Sequence, residues 1–430
     1  MSLPSGWIET KLREIADFVM GQAPPGEDCN FNGIGTPFVK AGEFGLVRPE
    51  IKEWTTRPLK LARQDDVLIC VVGATAGKLN RGADCAIGRS VAAIRPSPVT
   101  SANFLFPRMK SEVARLRGAS VGTAQGVISR DLLGGVDIVL PPLAEQGRIV
   151  AKLDALFSRL ARARAELDHV SVEAPQIRRA ALSEIFDSEE NLIEFSEVLE
   201  DIQAGKNLKC TEQPPGSGEK GVVKVSAVSS ERFLASESKT LPSSYQPPER
   251  DRILRGDLLI ARASGSLDLV GRVALVESCP KNLYLSDKIL RLVLRPDLKQ
   301  WAYWFLRSPA GRRQIEDAAS GISMHNVTQA SIRKLRFPLP DDNRRQAALQ
   351  RLNKTFACVD RLEAEAARAR ALIDRLEAAI LTKAFKGELV PQDPNDEPAS
   401  VLLERIRAQR TAVAPALKAK RRRRLGAVAE

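Results

Sequence analysis

Two stretches of this chain carry apolar residues in a narrow helical stripe. In the first, Ile149, Leu153, Leu156, Leu160, Ala163, Leu167 and Val170 follow one another in alternating steps of four and three. In the second, Leu349, Leu352, Phe356, Val359, Leu362, Ala366, Ala369, Ile373, Leu376 and Ile380 do the same, with one irregular step of three from Val359 to Leu362. Such a stripe is the seam of a coiled coil. Left unpaired, it forgoes about 1.5–3 kcal/mol for each large aliphatic side chain, so the two stripes are expected to cover each other. Pro175 is expected to kink or end the first helix, because it lacks an amide hydrogen and crowds the preceding turn.

Outside the stripes the period changes. Short apolar runs of strand type occupy 67–72 and 91–94, then 221–225, 257–261, 272–276 and 289–294. Amphipathic segments at Leu12 to Val19 and Phe195 to Ile202 open the two halves; helical stretches (FLFPRMKSEVARLRG and YWFLRSPAGRRQIEDAASG) and closing strands at 136–140 and 335–339 end them. Residues 122–141 align without a gap to residues 321–340, pairing Ile128 and Ser129 with Val327 and Thr328. Gly21 matches Gly205, Lys40 matches Lys224, Asp66 matches Asp257, and Arg95-Pro96 matches Arg295-Pro296, all in the same order. A long internal repeat follows. The fold class is α+β, with similar globular domains at 1–142 and 187–341. Helical spacers lie at 143–186 and 342–390, and 391–430 holds a short helix and a basic tail.

The stretch DDVLICVVGATAGKLN, residues 65–80, superficially offers a phosphate-binding loop. Only three residues separate Gly73 from Gly77, and Leu79 follows Lys78 where a metal-binding hydroxyl would be needed. Its twin at 256–272, GDLLIARASGSLDLVGR, keeps the small-residue turn without a Gly-Lys pair. A strand ending in a glycine-permitted turn accounts for both. The six cysteines are scattered with no C-x-x-C pair, which fits neither a zinc site nor a disulfide scaffold. No apolar run approaches the roughly 18 residues that span a bilayer, and the opening residues lack a basic segment followed by an apolar one; a soluble cytoplasmic protein is expected. Lys and Arg number 65 against 53 Asp and Glu, and this excess of +12, part of it in KAKRRRR at 418–424, suits an acidic polymer as partner. A rod of about thirty residues reaches about 45 Å, or about thirteen base pairs of duplex, enough to hold two globular units on successive turns.

Two variable units, each followed by a helix introduced by LPPLAEQGRIVAKLDALF or PLPDDNRRQAALQRLNKTF, resemble the specificity subunit of type I restriction–modification systems. The most specific segments are VLPPLAEQGRIVAKLD at 139–154 and AILTKAFKGELVPQDPNDEPASVLLERIRAQR at 379–410; RRAALSEIFDS at 178–188 looks like a shortened first copy of LTKAFKGEL. The second helix departs from the usual Pro-Leu-x-x-Gln start by two extra residues in PDDNRRQ. The resemblance implies two target recognition domains, each reading half of a split sequence in double-stranded DNA, with long antiparallel coiled-coil helices fixing the gap. It implies docking of two adenine-methylating subunits that use S-adenosylmethionine, which ATP-dependent endonuclease subunits can join. This chain would bind no cofactor and perform no chemistry. In agreement, the sequence offers no carboxylate-rich metal cluster, no methyltransferase Asn/Asp-Pro-Pro-aromatic tetrapeptide and only two histidines, His169 and His325.

Base edges are read by Arg and Lys at guanine and by Asn and Gln at adenine. Loop residues of those types are the DNA-binding candidates: Lys40, Lys78, Arg89, Gln125, Ser129 and Arg130 in the first domain, and Lys224, Arg262, Lys288, His325, Asn326 and Gln329 in the second, with Met324 in the same aligned set. Lys40 and Lys224 occur in both halves and suit phosphates. Two other classes remain open: a P-loop nucleotide hydrolase at 65–80, and a coiled-coil scaffold that binds only proteins.

Overall fold

Val67-Leu68-Ile69-Cys70 and Leu258-Leu259-Ile260-Ala261 are strands without a polar residue, and both are buried on both faces. In the first, Val67 and Ile69 enter one core while Leu68 enters another; in the second, Leu258 and Ile260 part from Leu259 and Ala261 in the same way. Period-two alternation between two cores is why these strands read as continuous apolar runs. The computed structural model describes residues 3–120, 126–187, 191–230, 232–319 and 325–408. These fall into two compact units, Met1–Glu166 with Ala369–Glu430, and Leu167–Arg368.

The first unit centres on an antiparallel sheet in the order Ala16–Met20, Val91–Pro96, Val67–Cys70, Leu79–Arg81. A second sheet places Thr36–Val39 parallel to Cys85–Ile87, and Ile8–Lys11 pairs with the closing strand Asp137–Leu140. In the second unit the central order is Leu199–Ala204, Ile289–Leu294, Leu258–Ala261, Val273–Leu275. Its smaller sheet places Gly221–Val223 parallel to Leu283–Tyr284, and Leu192–Glu194 pairs with Arg336–Pro338. The repeat is therefore one of topology. Gly21 and Gly205 mark it well: a Cβ on either would lie about 2 Å from a backbone oxygen, Gly88 O at 2.1 Å or Leu285 O at 1.9 Å. One match fails in detail. Arg95 pairs with Asp66, but the Arg that pairs with Asp257 is Arg291, not Arg295.

The segments expected at Leu12 to Val19 and Phe195 to Ile202 are each a single helical turn followed by an edge strand. The second helical stretch is two helices, Pro296–Arg307 and Pro309–Ala318, because Pro309 follows a Ser308 that caps the second one.

Two long helices, Leu143–Phe186 and Asp342–Phe385, each run 44 residues. The first runs on through Pro175, so of the two outcomes expected there, a kink or an end, the end does not occur. Ala174 and Leu182 on either side are buried, so packing holds a helix that has lost one backbone hydrogen bond. In the first unit Ile149 and Leu153 share one core with Ile380, Leu381 and Ala384, and Arg164 reaches Asp374 and Glu377. In the second, Leu182 and Phe186 share a core with Leu349, Leu352 and Phe356, and Arg178 reaches Asp360 and Glu363. The pairing is antiparallel in each unit, and each core continues from its sheet into its helix pair.

Candidate nucleic-acid interface

The first candidate to resolve is the glycine turn. Val67–Cys70 leads through Gly73 and Gly77, both at positive φ, directly back into the antiparallel strand Leu79–Arg81. A phosphate-cradling loop opens a helix and aims the helix N-terminal amides at the ligand. Here a hairpin takes that place, and Cys70 N donates to Lys78 O across it. The nucleotide-hydrolase reading fails on this geometry. Lys78 is left exposed on the turn.

Elsewhere in the first unit, Lys40 follows the parallel strand Thr36–Val39 and bonds to the buried carboxylate of Glu53. That hydrogen bond raises the Lys40 pKa and neutralises much of its charge. Gly88 N donates to Val39 O, which sets the exposed Arg89 beside Lys40. Ser129 caps the helix Arg130–Gly134, its hydroxyl accepting from Leu132 N at 3.1 Å, and Arg130 stands exposed at the first helical position. Gln125 and Met324 lie outside the described residues.

In the second unit more of the candidates converge. Ala263–Ser264 pairs with His325–Asn326 in a two-residue ladder. Arg262 N donates to Lys288 O at 2.8 Å, Val327 N donates to Arg262 O at 3.0 Å, and Arg262 Nε donates to Asn326 Oδ1 at 3.3 Å. Arg262, Lys288, His325 and Asn326 thus stand together at one end of the central sheet. Thr328 caps the helix Gln329–Arg333 as Ser129 does in the other unit, with half-buried Gln329 at its first position.

Beside this cluster lies a groove of about 380 Å³ lined by Lys206, Lys224, Lys239 and Lys288 against the two acids Glu212 and Asp287. Lys239 holds Glu212 at 2.6 Å and pulls its carboxyl below the usual range, while Lys224 stands 3.9 Å from it. Lys206 and Lys239 escaped the sequence reading. Their spacing carries no motif, and only the pairing of Gly221–Val223 with Ser238–Thr240 brings Lys239 alongside. The net charge suits an anionic backbone.

The seam residues divide. Ile149, Leu153, Leu352, Phe356, Val359 and Ile380 are buried, and Leu156, Leu160, Leu167 and Ile373 are half-buried. Leu362 and Leu376 are 45% and 49% exposed. After Val359 the covered line runs through Ala366 and Ile373 to Ile380, steps of seven that put Glu363 and Glu377, not the two leucines, toward Arg178 and Arg164.

Burial pushes the Cys70 thiol to about 11 and Cys85 to about 12, so both stay protonated. Among the described residues no cluster of His, Cys, Asp or Glu could hold a metal ion, and no helix is long and apolar enough to cross a membrane.

Residues 4–168 match the type I restriction modification DNA specificity domain. The type I restriction enzyme EcoKI specificity subunit of Escherichia coli (strain K12) is 24% identical over 95% of this chain and 97% of its own length. Among solved structures, a chain of a type I R-M system covers 90% of this chain and 100% of itself at 21% identity, with a TM-score of 0.71. The HsdS subunit from Thermoanaerobacter tengcongensis covers 90% and 98% at 20% identity, with a TM-score of 0.58. At these identities the two structures speak for the fold.

Proposed function

We propose, from the premise that this chain belongs to the specificity subunits of type I restriction–modification systems, that it reads a split target in double-stranded DNA. Specificity subunits are not catalytic; partner subunits carry the chemistry. In our reading each unit recognises one half of the target. Two methyltransferase subunits dock on the chain and supply S-adenosylmethionine for adenine methylation, and ATP-dependent endonuclease subunits join them. The complex works in the cytoplasm, where the chromosome is.

The observation that carries this reading is the repeat. The same sheet order, the same paired helix ends and the same capped five-residue helix occur in both units, with different side chains at matching positions. A protein-only scaffold has no need of two equal frames presenting unequal polar edges; a reader of two unlike half-sites does. The test is to map modified adenines in the host genome before and after deletion of the gene. Two short motifs at fixed separation, lost on deletion, are expected. Modified sites without a split pattern, or sites that persist in the deletion strain, overturn the proposal.

A further inference from the structure

The repeat supplies an internal control for one side-chain pair. In the second unit, Arg262 sits between two backbone hydrogen bonds, from its own N to Lys288 O and from Val327 N to its O. In the first unit Val71 sits between the same two: Val71 N donates to Ser90 O at 2.9 Å, and Ile128 N donates to Val71 O at 2.8 Å. The frame therefore equates Arg262 with Val71, Lys288 with Ser90, Val327 with Ile128, and Asn326 with Val127. Val71 is a buried core residue at 2% exposure. The fold accepts an aliphatic side chain at this place, so neither the arginine nor the asparagine is required to build it.

What the second unit has instead is a half-buried guanidinium without a carboxylate. Arg262 Nε donates to Asn326 Oδ1, and the two terminal nitrogens have no protein partner among the described residues. A partly desolvated cation held by a neutral amide costs stability without return in the free protein. Its free end is a planar fork of parallel N–H donors, the shape that matches O6 and N7 of guanine in the major groove. Lys288, which makes no ion pair among the described residues, and the lysine groove beside it lie where the adjoining backbone would run. We propose that Arg262 reads a guanine in the half-target of the second unit, and that Asn326 is the residue that positions it. Asn326 occupies Nε, fixes the guanidinium plane and turns the terminal fork outward. This inference rests on the proposed DNA-reading function.

The test uses the full chain, purified from its host together with its companion subunits, in a selection from randomised duplex DNA. Wild type is expected to enrich two short motifs at a fixed separation. Arg262→Ala should lose a guanine preference at one position of one motif, by about 5- to 150-fold, the equivalent of one bidentate contact, with the other motif unchanged. Arg262→Gln should move that position toward adenine. Asn326→Leu should relax the same position alone; Asn326→Asp, which keeps the acceptor, should retain guanine while weakening binding at all sequences. Melting temperatures within a degree or two of wild type show that the frame is intact. Weakening at every position alike would make Arg262 a phosphate contact, and unchanged motifs would remove it from the interface; either result overturns the inference and leaves the split-target reading standing. An unaltered position in Asn326→Leu overturns the positioning role. If wild type itself enriches no two-part motif, the functional proposal falls first and this one with it.

Discussion

Lys40 and Lys288 carry the same charge and should answer neutralisation differently. Lys288 is exposed on a lysine-lined groove, so Lys288→Ala should lower the slope of log affinity against log salt by about 0.9, one phosphate contact. Lys40 is already committed to the buried Glu53. Lys40→Ala should leave the salt slope nearly unchanged and lower the melting temperature, because it strands a buried carboxylate; a full unit of lost slope would show that the pair opens on DNA. Glu145 offers a pH test. Its buried carboxylate accepts from Trp7 Nε1 at 2.9 Å, and burial raises its pKa despite that bond. A carboxyl whose folded pKa lies above its unfolded one takes up a proton on folding, so its contribution improves as pH falls through the folded value. Glu145→Gln keeps the acceptor and removes the charge. Its melting temperature should exceed that of wild type above the folded pKa, and the difference should shrink toward pH 4. At this scale the sequence exposes residue types but not their partners. The sequence leaves Lys40 and Lys224 equal as phosphate contacts; the pairing of Phe38 with Glu53 sets a buried acid against Lys40, whereas the acid near Lys224, Glu212 at 3.9 Å, is exposed. Ser129 had a readable sign, a hydroxyl just ahead of a short apolar turn, and proved to be a helix cap.

At the scale of elements the apolar runs were sufficient for the central strands, since 67–70, 258–261 and 289–294 are buried on both faces and leave a dense apolar trace. Two- and three-residue strands such as Cys29–Asn30 and Leu61–Ala62 leave none, and of the second sheets only Gly221–Val223 shows in the sequence, as the run at 221–225. The helix seam is legible through Val359, Ala366, Ile373 and Ile380; only Leu362 and Leu376, apolar at the expected spacing, stand exposed. The pentad Asp360-Arg361-Leu362-Glu363-Ala364 recurs as Asp374-Arg375-Leu376-Glu377-Ala378, two heptads on. In each copy the Asp and Glu, three residues apart, clasp one arginine: Arg178 at 2.6 and 2.7 Å in the second unit, Arg164 at 2.7 and 2.7 Å in the first. These forks select a register that small alanines along the seam leave weakly specified. A double-mutant cycle on Arg178 and Glu363, followed by thermal melts, should give a coupling of about 0.5–1 kcal/mol, as for partly exposed pairs; additivity would reduce the forks to ornament on an apolar seam. Pro175→Ala should raise stability, since an interior proline forgoes a hydrogen bond and clashes with the turn before it, an effect of about 3 kcal/mol in a straight helix. A fall in melting temperature would mean that the proline-induced geometry is needed for the burial of Ala174 and Leu182.

On the scale of the whole chain, the segment after the second long helix belongs to the first unit. Ala399, Leu403 and Ile406 are buried in the same core as Trp7, Leu12 and Ile15. Ala399 N donates to Gly6 O at 3.0 Å, Arg148 holds Asp396 at 2.6 Å, and Arg407 pairs with Glu14. Nothing local in PQDPNDEPASVLLERIRA announces a partner almost four hundred residues earlier; the apolar spacing of Ala399, Leu403 and Ile406 shows only that one face must be covered. Burying a leucine and an isoleucine stabilises a fold by about 1.5–3 kcal/mol each, a large share of the few kcal/mol that hold a domain together. Ending the chain at Pro391 should therefore weaken one unit and spare the other. Amide exchange reads this directly: strand Val67–Cys70 should lose protection by a factor of a hundred or more, about 3 kcal/mol, while Leu258–Ala261 keeps its own. Equal loss in both strands would show that the two cores unfold as one. Unchanged protection at Val67–Cys70 would show that the first fold is complete without its C-terminal cover, and that this cover serves a partner instead.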